Sequence, residues 1–216
     1  MRVGTVPRHR KQTTMKLHHI AAAVAVTAGL FASSAALAQD FKEGTVLVRA
    51  RAVHLDSANK DSTGLGLSID NKWLPEVDFS YFFSPNIAAE LILTVPQKQH
   101  VYSNGAEIGT LKHLPPTLTL QYHFHTDSGI KPYVGAGLNY TRFSSVNLLG
   151  GAADIDRNSW GPALQVGVDI PLAKNLYLNV DVKKAYIKTD VSAGGTKVGS
   201  FKVDPLLVGV GLGWRF

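Results

Sequence analysis

Strict alternation of apolar and polar residues recurs in eight stretches of the chain, each about 9–11 residues long. In the second stretch, Val77 and Phe79 alternate with Glu76 and Asp78. A period of two places successive side chains on opposite faces of a β-strand. The eight predicted strands are Thr45–His54, Pro75–Phe83, Ile87–Val95, Thr117–His125, Pro132–Arg142, Trp160–Ile170, Leu176–Tyr186 and Leu206–Phe216. The pattern therefore predicts an all-β fold.

The connections between these strands alternate in length, with four of about 17–20 residues and three of about 3–6 residues. Long loops at one end and short turns at the other are typical of strands that run up and down a barrel. A tilted strand of about 9–11 residues is also long enough to cross a membrane. The connections therefore predict an antiparallel up-and-down barrel.

Aromatic residues distinguish a membrane barrel from a soluble one. They occur beside the predicted short turns (Tyr81, Phe83, Phe124, Trp214, Phe216) and beside the long loops (Tyr140, Trp160, Tyr186). Two such belts mark the two membrane interfaces. A closed barrel also satisfies every backbone hydrogen bond in lipid. We therefore predict an eight-stranded transmembrane β-barrel in preference to a soluble sandwich or lipocalin-like barrel.

The first 38 residues have the layout of a secretory signal peptide. Lys16 follows Met15, an apolar stretch begins at Ile20, and an A-x-A motif ends at Ala38. The alternative is a membrane helix, but the alanine-rich composition and the A-x-A motif favour cleavage. We predict a signal peptide over 1–38, with Met15 as a candidate start, and a barrel over 39–216.

Charge and motifs exclude several functions. Five of the 22 Lys and Arg and none of the 16 acids lie in residues 1–38, so the predicted barrel has a net charge of only +1. This balance indicates no nucleic-acid partner. The absence of cysteine excludes disulfides and thiolate metal sites. The chain contains neither G-x-S-x-G nor H-E-x-x-H, and we predict that it is not an enzyme.

Two local patterns favour a structural interpretation over a ligand site. Gly209, Gly211 and Gly213 resemble a phosphate-binding loop but open no helix. His123 and His125 share one predicted strand face and could chelate a transition metal. No third ligand is identifiable, so we favour polar lumen residues. The sequence predicts no metal and no cofactor.

A set of charged side chains faces the lumen by strand parity. Its members are Arg49, Arg51, Glu76, Asp78, Glu90, Asp169, Asp181 and Lys183. An eight-stranded barrel is just wide enough for side chains to fill it, and buried charges must pair. We therefore predict a polar plug that blocks straight passage, which argues against an open porin pore.

Several motifs resemble those of the outer-membrane protein W (OmpW) family. They span the predicted barrel and are His113–Leu118, Lys131–Thr141, Asn158–Gly161, Gln165–Asp169, Asp204-Pro205 and Gly213–Phe216. The resemblance implies a monomeric barrel in the outer membrane of a Gram-negative bacterium. It also implies passage of small hydrophobic molecules, and some members serve as bacteriocin receptors. The resemblance places one family gating position on Ile92. It places another, which is tryptophan in the best-known member, on Lys183.

Three prolines predict a route for an apolar molecule that cannot cross the plug. Pro96 ends the third strand and Pro115-Pro116 opens the fourth. Proline cannot donate a hydrogen bond to a strand ladder. We predict a lateral opening here, lined by Ile92 and Leu114 and reached from an extracellular funnel. The alternative is that the prolines only stiffen a long loop.

Transport is the favoured function, and a structural or receptor barrel that binds a bacteriocin, a phage or a host surface is the alternative. Leucines in the predicted loops favour a funnel for apolar ligands; they are Leu65, Leu67, Leu148 and Leu149. Trp214 and Phe216 resemble the terminal signal that the barrel-assembly machinery recognises. The expected partners are this machinery, outer-membrane lipid, lipopolysaccharide and a small hydrophobic ligand.

Overall fold

The computed structural model describes residues 40–216, which form fifteen β-strands and a 3-10 turn at Leu149–Gly151. The strands are β1 Val46–Asp56, β2 Lys60–Asp61, β3 Leu67–Ile69, β4 Lys72–Phe82, β5 Ile87–Thr94, β6 Gln97–Ser103, β7 Ala106–Leu114, β8 Thr117–His123, β9 Lys131–Leu148, β10 Ala153–Ile155, β11 Asn158–Ala173, β12 Leu176–Ala185, β13 Lys188–Ala193, β14 Thr196–Lys202 and β15 Leu206–Arg215. The predicted signal peptide lies outside the described residues. Among residues 40–216, no helix is long and apolar enough to span a membrane.

Eight strands close into an antiparallel barrel in the order β1, β4, β5, β8, β9, β11, β12 and β15. The last strand pairs with the first, from Leu47 opposite Arg215 to Asp56 opposite Leu206. Each barrel strand thus has two neighbours, so the wall presents no long free edge to lipid. The predicted fold class is confirmed.

Side chains alternate between lipid and lumen along the barrel strands. In β8, Leu118 and Leu120 are exposed, whereas Thr119 and Gln121 are buried. Aromatic side chains ring both ends of this lipid-facing surface, as the sequence predicted. The ring at the long-connection end, which we call the outer girdle, consists of Trp73, Tyr140, Trp160 and Tyr186. Trp73 was missed because it lies just before the predicted second strand.

Above the outer girdle, the predicted long loops contain strands. The hairpins β6–β7 and β13–β14, together with β2, β3, β10 and the upper part of β9, form a small sheet structure that we call the outer cap. Its inward-facing side chains, among them Val101, Leu111 and Phe201, pack into a buried apolar cluster. Burial of these residues explains why the segments are ordered as strands.

The residues before β1 fold into the lower mouth of the barrel. Phe41 is buried there, and its ring centroid lies 4.4 Å from that of Phe82 and 5.6 Å from that of Tyr177. Lys131 donates a hydrogen bond to Asp40 over 2.9 Å. This ion pair lowers the pKa of the Asp40 carboxyl, chiefly through the hydrogen bond from Lys131. The Phe41 ring thus occupies the lower mouth of the barrel, and the Asp40–Lys131 ion pair lies beside it.

Candidate functional site

Arg49 is the centre of the polar plug and is fully buried. Its Nε and Nη2 donate to the two carboxylate oxygens of Asp169 over 2.9 and 2.7 Å. Its Nη1 lies 2.9 Å from Asp78 Oδ1 and 3.5 Å from Glu90 Oε1. A single guanidinium thus joins carboxylates from β11, β4 and β5 and ties distant parts of the wall together.

Arg51 and Lys183 extend the same network upward. Arg51 lies 2.6 Å from Asp78, 3.0 Å from Glu90 and 3.0 Å from Glu76. Lys183 Nζ donates to both oxygens of Glu76, over 3.0 and 3.1 Å. All eight residues that the sequence placed in the lumen are buried there. The structure therefore brings the predicted plug residues together and identifies their partners.

Neutral donors complete the plug, because its three cations face five carboxylates. The Tyr133 hydroxyl donates to Asp181 over 2.9 Å, and the Gln165 amide donates to Glu90 over 2.7 Å. Asn179 donates to Asp169 over 2.9 Å. The sequence analysis missed these three residues as plug members, although their strand parity already placed them in the lumen.

Gly167 gives Tyr133 the space that this hydrogen bond needs. A Cβ atom at position 167 would lie 2.4 Å from both Cζ and the hydroxyl oxygen of Tyr133. Atoms at that distance cannot both stay in place. Position 167 therefore requires glycine, because the Tyr133 ring lies so close to its backbone inside the lumen.

An inner cavity lies directly above the plug. Glu76 and Lys183 form its floor, and Leu55, Leu74 and Ile92 are among its apolar wall residues. Ile92 and Lys183, the two positions that the resemblance matches to gating residues, both face this cavity. Its floor is an ion pair and its walls are mostly apolar, so an apolar molecule that enters finds no favourable way down.

A second cavity lies within the outer cap. Three residues line both cavities and form the collar between them: His113, Phe143 and Val203. Burial, and secondarily the charge of Lys72, lower the pKa of His113 to about 4. The collar histidine is therefore neutral at neutral pH, and the boundary between the two cavities carries no charge at that point.

The barrel wall has an interruption beside the inner cavity. The ladder between β5 and β8 ends at the pair Ile92–Thr117 and resumes between β6 and β7 at Gln97–His113. Residues 93–96 and residues 114–116 lie between these two pairs. No backbone pairing joins the first segment to the second along this line of contact, or seam, between neighbouring strands. We call this interruption the β5–β8 gap. The three predicted prolines lie within it.

The interruption is confined to one seam. On the other side of β8, the pairs Leu114–Arg142 and Thr117–Asn139 keep one register along β9. The Tyr140 amide also donates to the Pro116 carbonyl over 3.0 Å. The prolines therefore leave the β8–β9 seam intact and interrupt only the seam towards β5.

The structure separates the two apolar residues that were predicted to line the opening together. Ile92 and Pro115 face the inner cavity. Leu114 is half-buried and has the outward parity of its strand, because Leu111 and His113 point inward. Leu114 does not line the inner cavity beside Ile92, and its part in the opening stays a prediction. Leu114 instead lies at the outer side of the gap.

The two histidines of the considered metal pair lie in different environments. His123 is buried, and its ring stacks on Tyr133 with centroids 5.0 Å apart. His125 lies beyond the end of β8 and is exposed, 3.7 Å from Asp40. Within residues 40–216, no group of three or more His, Asp and Glu is arranged to hold a metal ion.

Comparisons with known proteins extend along the whole described barrel. A model of the OmpW family matches residues 41–216, which include all fifteen strands. Outer membrane protein W of Vibrio cholerae is 34% identical over 195 residues, covering 81% of this chain and 90% of that protein. The dibenzothiophene metabolism operon protein PahQ of Pseudomonas aeruginosa is 33% identical over 147 residues, covering 64% and 69%. The crystal structure of OprG from Pseudomonas aeruginosa gives a TM-score of 0.71 at 26% identity, covering 83% and 99%.

Proposed function

Because this chain belongs to the OmpW family and forms an outer-membrane barrel, we propose that it passes small hydrophobic molecules into the outer membrane by a lateral route. The molecule would enter the cavity of the outer cap, cross the collar and leave through the β5–β8 gap. The single observation that carries this proposal is the unpaired gap beside a cavity whose floor is closed.

The outer cap supports the entry step. Leu65 and Leu149 are exposed, and both line the outer cavity. An apolar molecule gains about 25 cal/mol for each Å² of its surface that leaves water, so leucines at the mouth favour its capture. A receptor surface has no need of leucines that line a cavity. Their position favours transport over the receptor alternative.

The plug supports a sideways exit. A molecule that moved straight down would have to separate Lys183 from Glu76 and then Arg49 from three carboxylates. Breaking buried ion pairs leaves uncompensated charges, at a cost of about 3–5 kcal/mol for each. The gap needs no such step, because Thr94 and Pro115 face the cavity there without a backbone bond between them.

The family relatives support an apolar ligand. PahQ is named for a dibenzothiophene metabolism operon. Dibenzothiophene is a flat aromatic molecule without a charged group, which suits cavity walls rich in leucine, isoleucine, valine and phenylalanine. We therefore infer that uncharged aromatic or aliphatic compounds are the substrate class.

A disulfide across the gap tests the route. Thr94→Cys and Pro115→Cys extend the register of the pair Ile92–Thr117 across the unpaired residues. The chain contains no other cysteine, so the bridge is unique. In cells that lack the native gene, we expect the oxidised variant to take up labelled dibenzothiophene no faster than cells without the protein. Reduction should restore the uptake.

A second double variant controls for the bridge itself. Leu118→Cys and Leu138→Cys join β8 to β9 on the lipid side, where the wall is already paired. This bridge should leave uptake unchanged. Full uptake through the oxidised Thr94–Pro115 variant would contradict the lateral route alone. Equal uptake by cells with and without the wild-type protein would contradict the transport function altogether.

A further inference from the structure

Two rows of basic residues cross neighbouring strands of the outer cap. The first row consists of Lys98 on β6, Lys112 on β7 and Arg142 on β9, and the second of Lys188 on β13, Lys202 on β14 and Lys60 on β2. Lys98 lies directly opposite Lys112, and Lys202 lies directly opposite both Lys188 and Lys60. All six side chains are exposed. Each row therefore presents three cations on one outward face.

The rows are unfavourable as the protein alone presents them. Like charges directly opposite each other on paired strands destabilise a sheet. Among residues 40–216, the ion pairs above the outer girdle join His100 to Glu107, Arg157 to Asp154, and Lys197 to Asp190. None of them includes a member of either row. Asp190, the partner of Lys197, also attracts Lys188, whereas no ion pair within residues 40–216 neutralises the other five cations. An anion from outside the described part of the chain can supply their counter-charge.

Both rows lie at the level of the lipid headgroups. Lys188 follows Tyr186 of the outer girdle by two positions and Lys112 lies four positions before Pro116, whose carbonyl accepts a hydrogen bond from Tyr140. Two positions along one face of a strand correspond to about 7 Å. Aromatic girdles mark the interface between hydrocarbon and headgroups, so cations one or two such steps above them meet the charged groups of the outer leaflet.

We propose that these two rows bind the phosphate groups of lipopolysaccharide, the anionic lipid of the outer leaflet. A phosphate has several acceptor oxygens and can bridge two ammonium groups that face each other across a strand pair. The opposed lysines, which repel each other in the bare protein, then share one counter-charge. Two rows on different parts of the cap give the barrel two lipid contacts. This proposal does not depend on transport.

The test uses the folded barrel in detergent micelles and bis-phosphorylated lipid A as the probe. The first variant carries Lys98→Gln, Lys112→Gln and Arg142→Gln, and the second carries Lys60→Gln, Lys188→Gln and Lys202→Gln. Each basic residue near a membrane surface contributes measurably to the binding of anionic lipid. We expect either variant to bind lipid A about tenfold or more weakly than the wild type, as measured by native mass spectrometry.

Three comparisons separate binding of the lipid phosphate from binding of the acyl chains or of free anions. A variant with Lys42→Gln and Lys174→Gln, which loses two exposed lysines at the periplasmic end, should bind lipid A like the wild type. Dephosphorylated lipid A should bind weakly to all forms. Equal binding of the dephosphorylated lipid, or undiminished binding by both row variants, would overturn the proposal, as would efficient competition by inorganic phosphate alone. If a triple variant does not fold, Lys112→Gln and Lys202→Gln singly replace it, with a smaller expected loss.

Discussion

A single buried residue, His113, sets the polarity of the collar between the two cavities. Its side chain is 4% exposed and lies above the outer girdle, on β7. Removal from water disfavours the imidazolium form, and Lys72 adds a repulsive charge, so the pKa of His113 falls to about 4 from an ordinary value of 6.5. The neutral ring keeps the boundary between the two cavities uncharged, whereas a protonated ring would place a charge there.

His113 should make the barrel less stable in acid. Between pH 6.5 and about 4 the unfolded chain binds a proton at this position and the folded chain does not. Stability is therefore lost as pH falls through this range. We expect His113→Asn to remove this part of the pH dependence of the free energy of unfolding, measured by urea titration in detergent from pH 4 to 8. The exposed His125→Asn is the control, and parallel curves for wild type and His113→Asn would contradict the assignment.

At the scale of a strand, the alternation in β11 makes neighbouring positions respond oppositely to charge. Val166 is 54% exposed on the lipid side, midway along the strand, whereas Gln165 is 6% exposed and bonded to Glu90 in the plug. Val166→Arg should cost about 2–4 kcal/mol, since it places a cation near the middle of the membrane. Gln165→Arg should cost less, because Glu90 and the excess carboxylates of the plug can compensate the charge. Unfolding titrations of the two variants provide the measurement.

The opposite ranking of these two variants would mean that β11 is shifted by one residue, because such a shift exchanges all lipid-facing and lumen-facing side chains. Leu164→Gln is a matched control. It lies on the lipid face like Val166 but introduces no charge, so it should destabilise the barrel less than Val166→Arg does.

The barrel strands were predictable from sequence to within a few residues, with the exception of the upper part of β9. Their alternation is strong because one face meets lipid. The cap strands were not predictable in this way. In β6, the inward positions Gln97 and Gln99 are as polar as the outward Lys98 and His100, so the segment has no alternation to detect. Strand β9 continues to Leu148 because it pairs with β7, a partner that the pattern of β9 alone does not indicate.

The plug could be predicted in membership but not in pairing. Strand parity fixes which charges face the lumen. The partners of Arg49, however, come from strands as far as 120 residues away in the chain, and their contact depends on the stagger of the closed barrel. In the same way, the prolines indicate a weak place in the wall. The sequence does not indicate that only the β5–β8 seam is interrupted. That result follows because β7 and β8 pair with β9 in one continuous register.

At the scale of the whole molecule, the C-terminal residue takes part in closing the barrel. The Phe216 amide donates to the Val46 carbonyl over 2.8 Å, and the Val46 amide donates to the Phe216 carbonyl over 3.2 Å. These bonds involve only the backbone. The Phe216 side chain is 77% exposed, so it contributes little packing to the folded barrel. In the folded barrel this side chain contacts the membrane interface rather than other protein side chains. We therefore expect its main effect in recognition before the barrel has formed.

We therefore expect Phe216→Asp to separate assembly from stability. The variant keeps both backbone bonds to Val46, and a charge near a membrane interface costs only about 0–1 kcal/mol. Purified and refolded in detergent, it should show the heat-modifiable migration and unfolding midpoint of the wild type. In cells, the amount of folded barrel in the outer membrane should fall more than synthesis does, because the assembly machinery no longer meets a terminal aromatic residue. Phe83→Asp is the matched control, since Phe83 is 53% exposed at the same rim but lies within the chain. Equal losses of folded barrel for both variants in cells would show that a charge anywhere at this rim impairs assembly. A normal yield of folded Phe216→Asp would show that Phe216 is not an assembly signal in this protein.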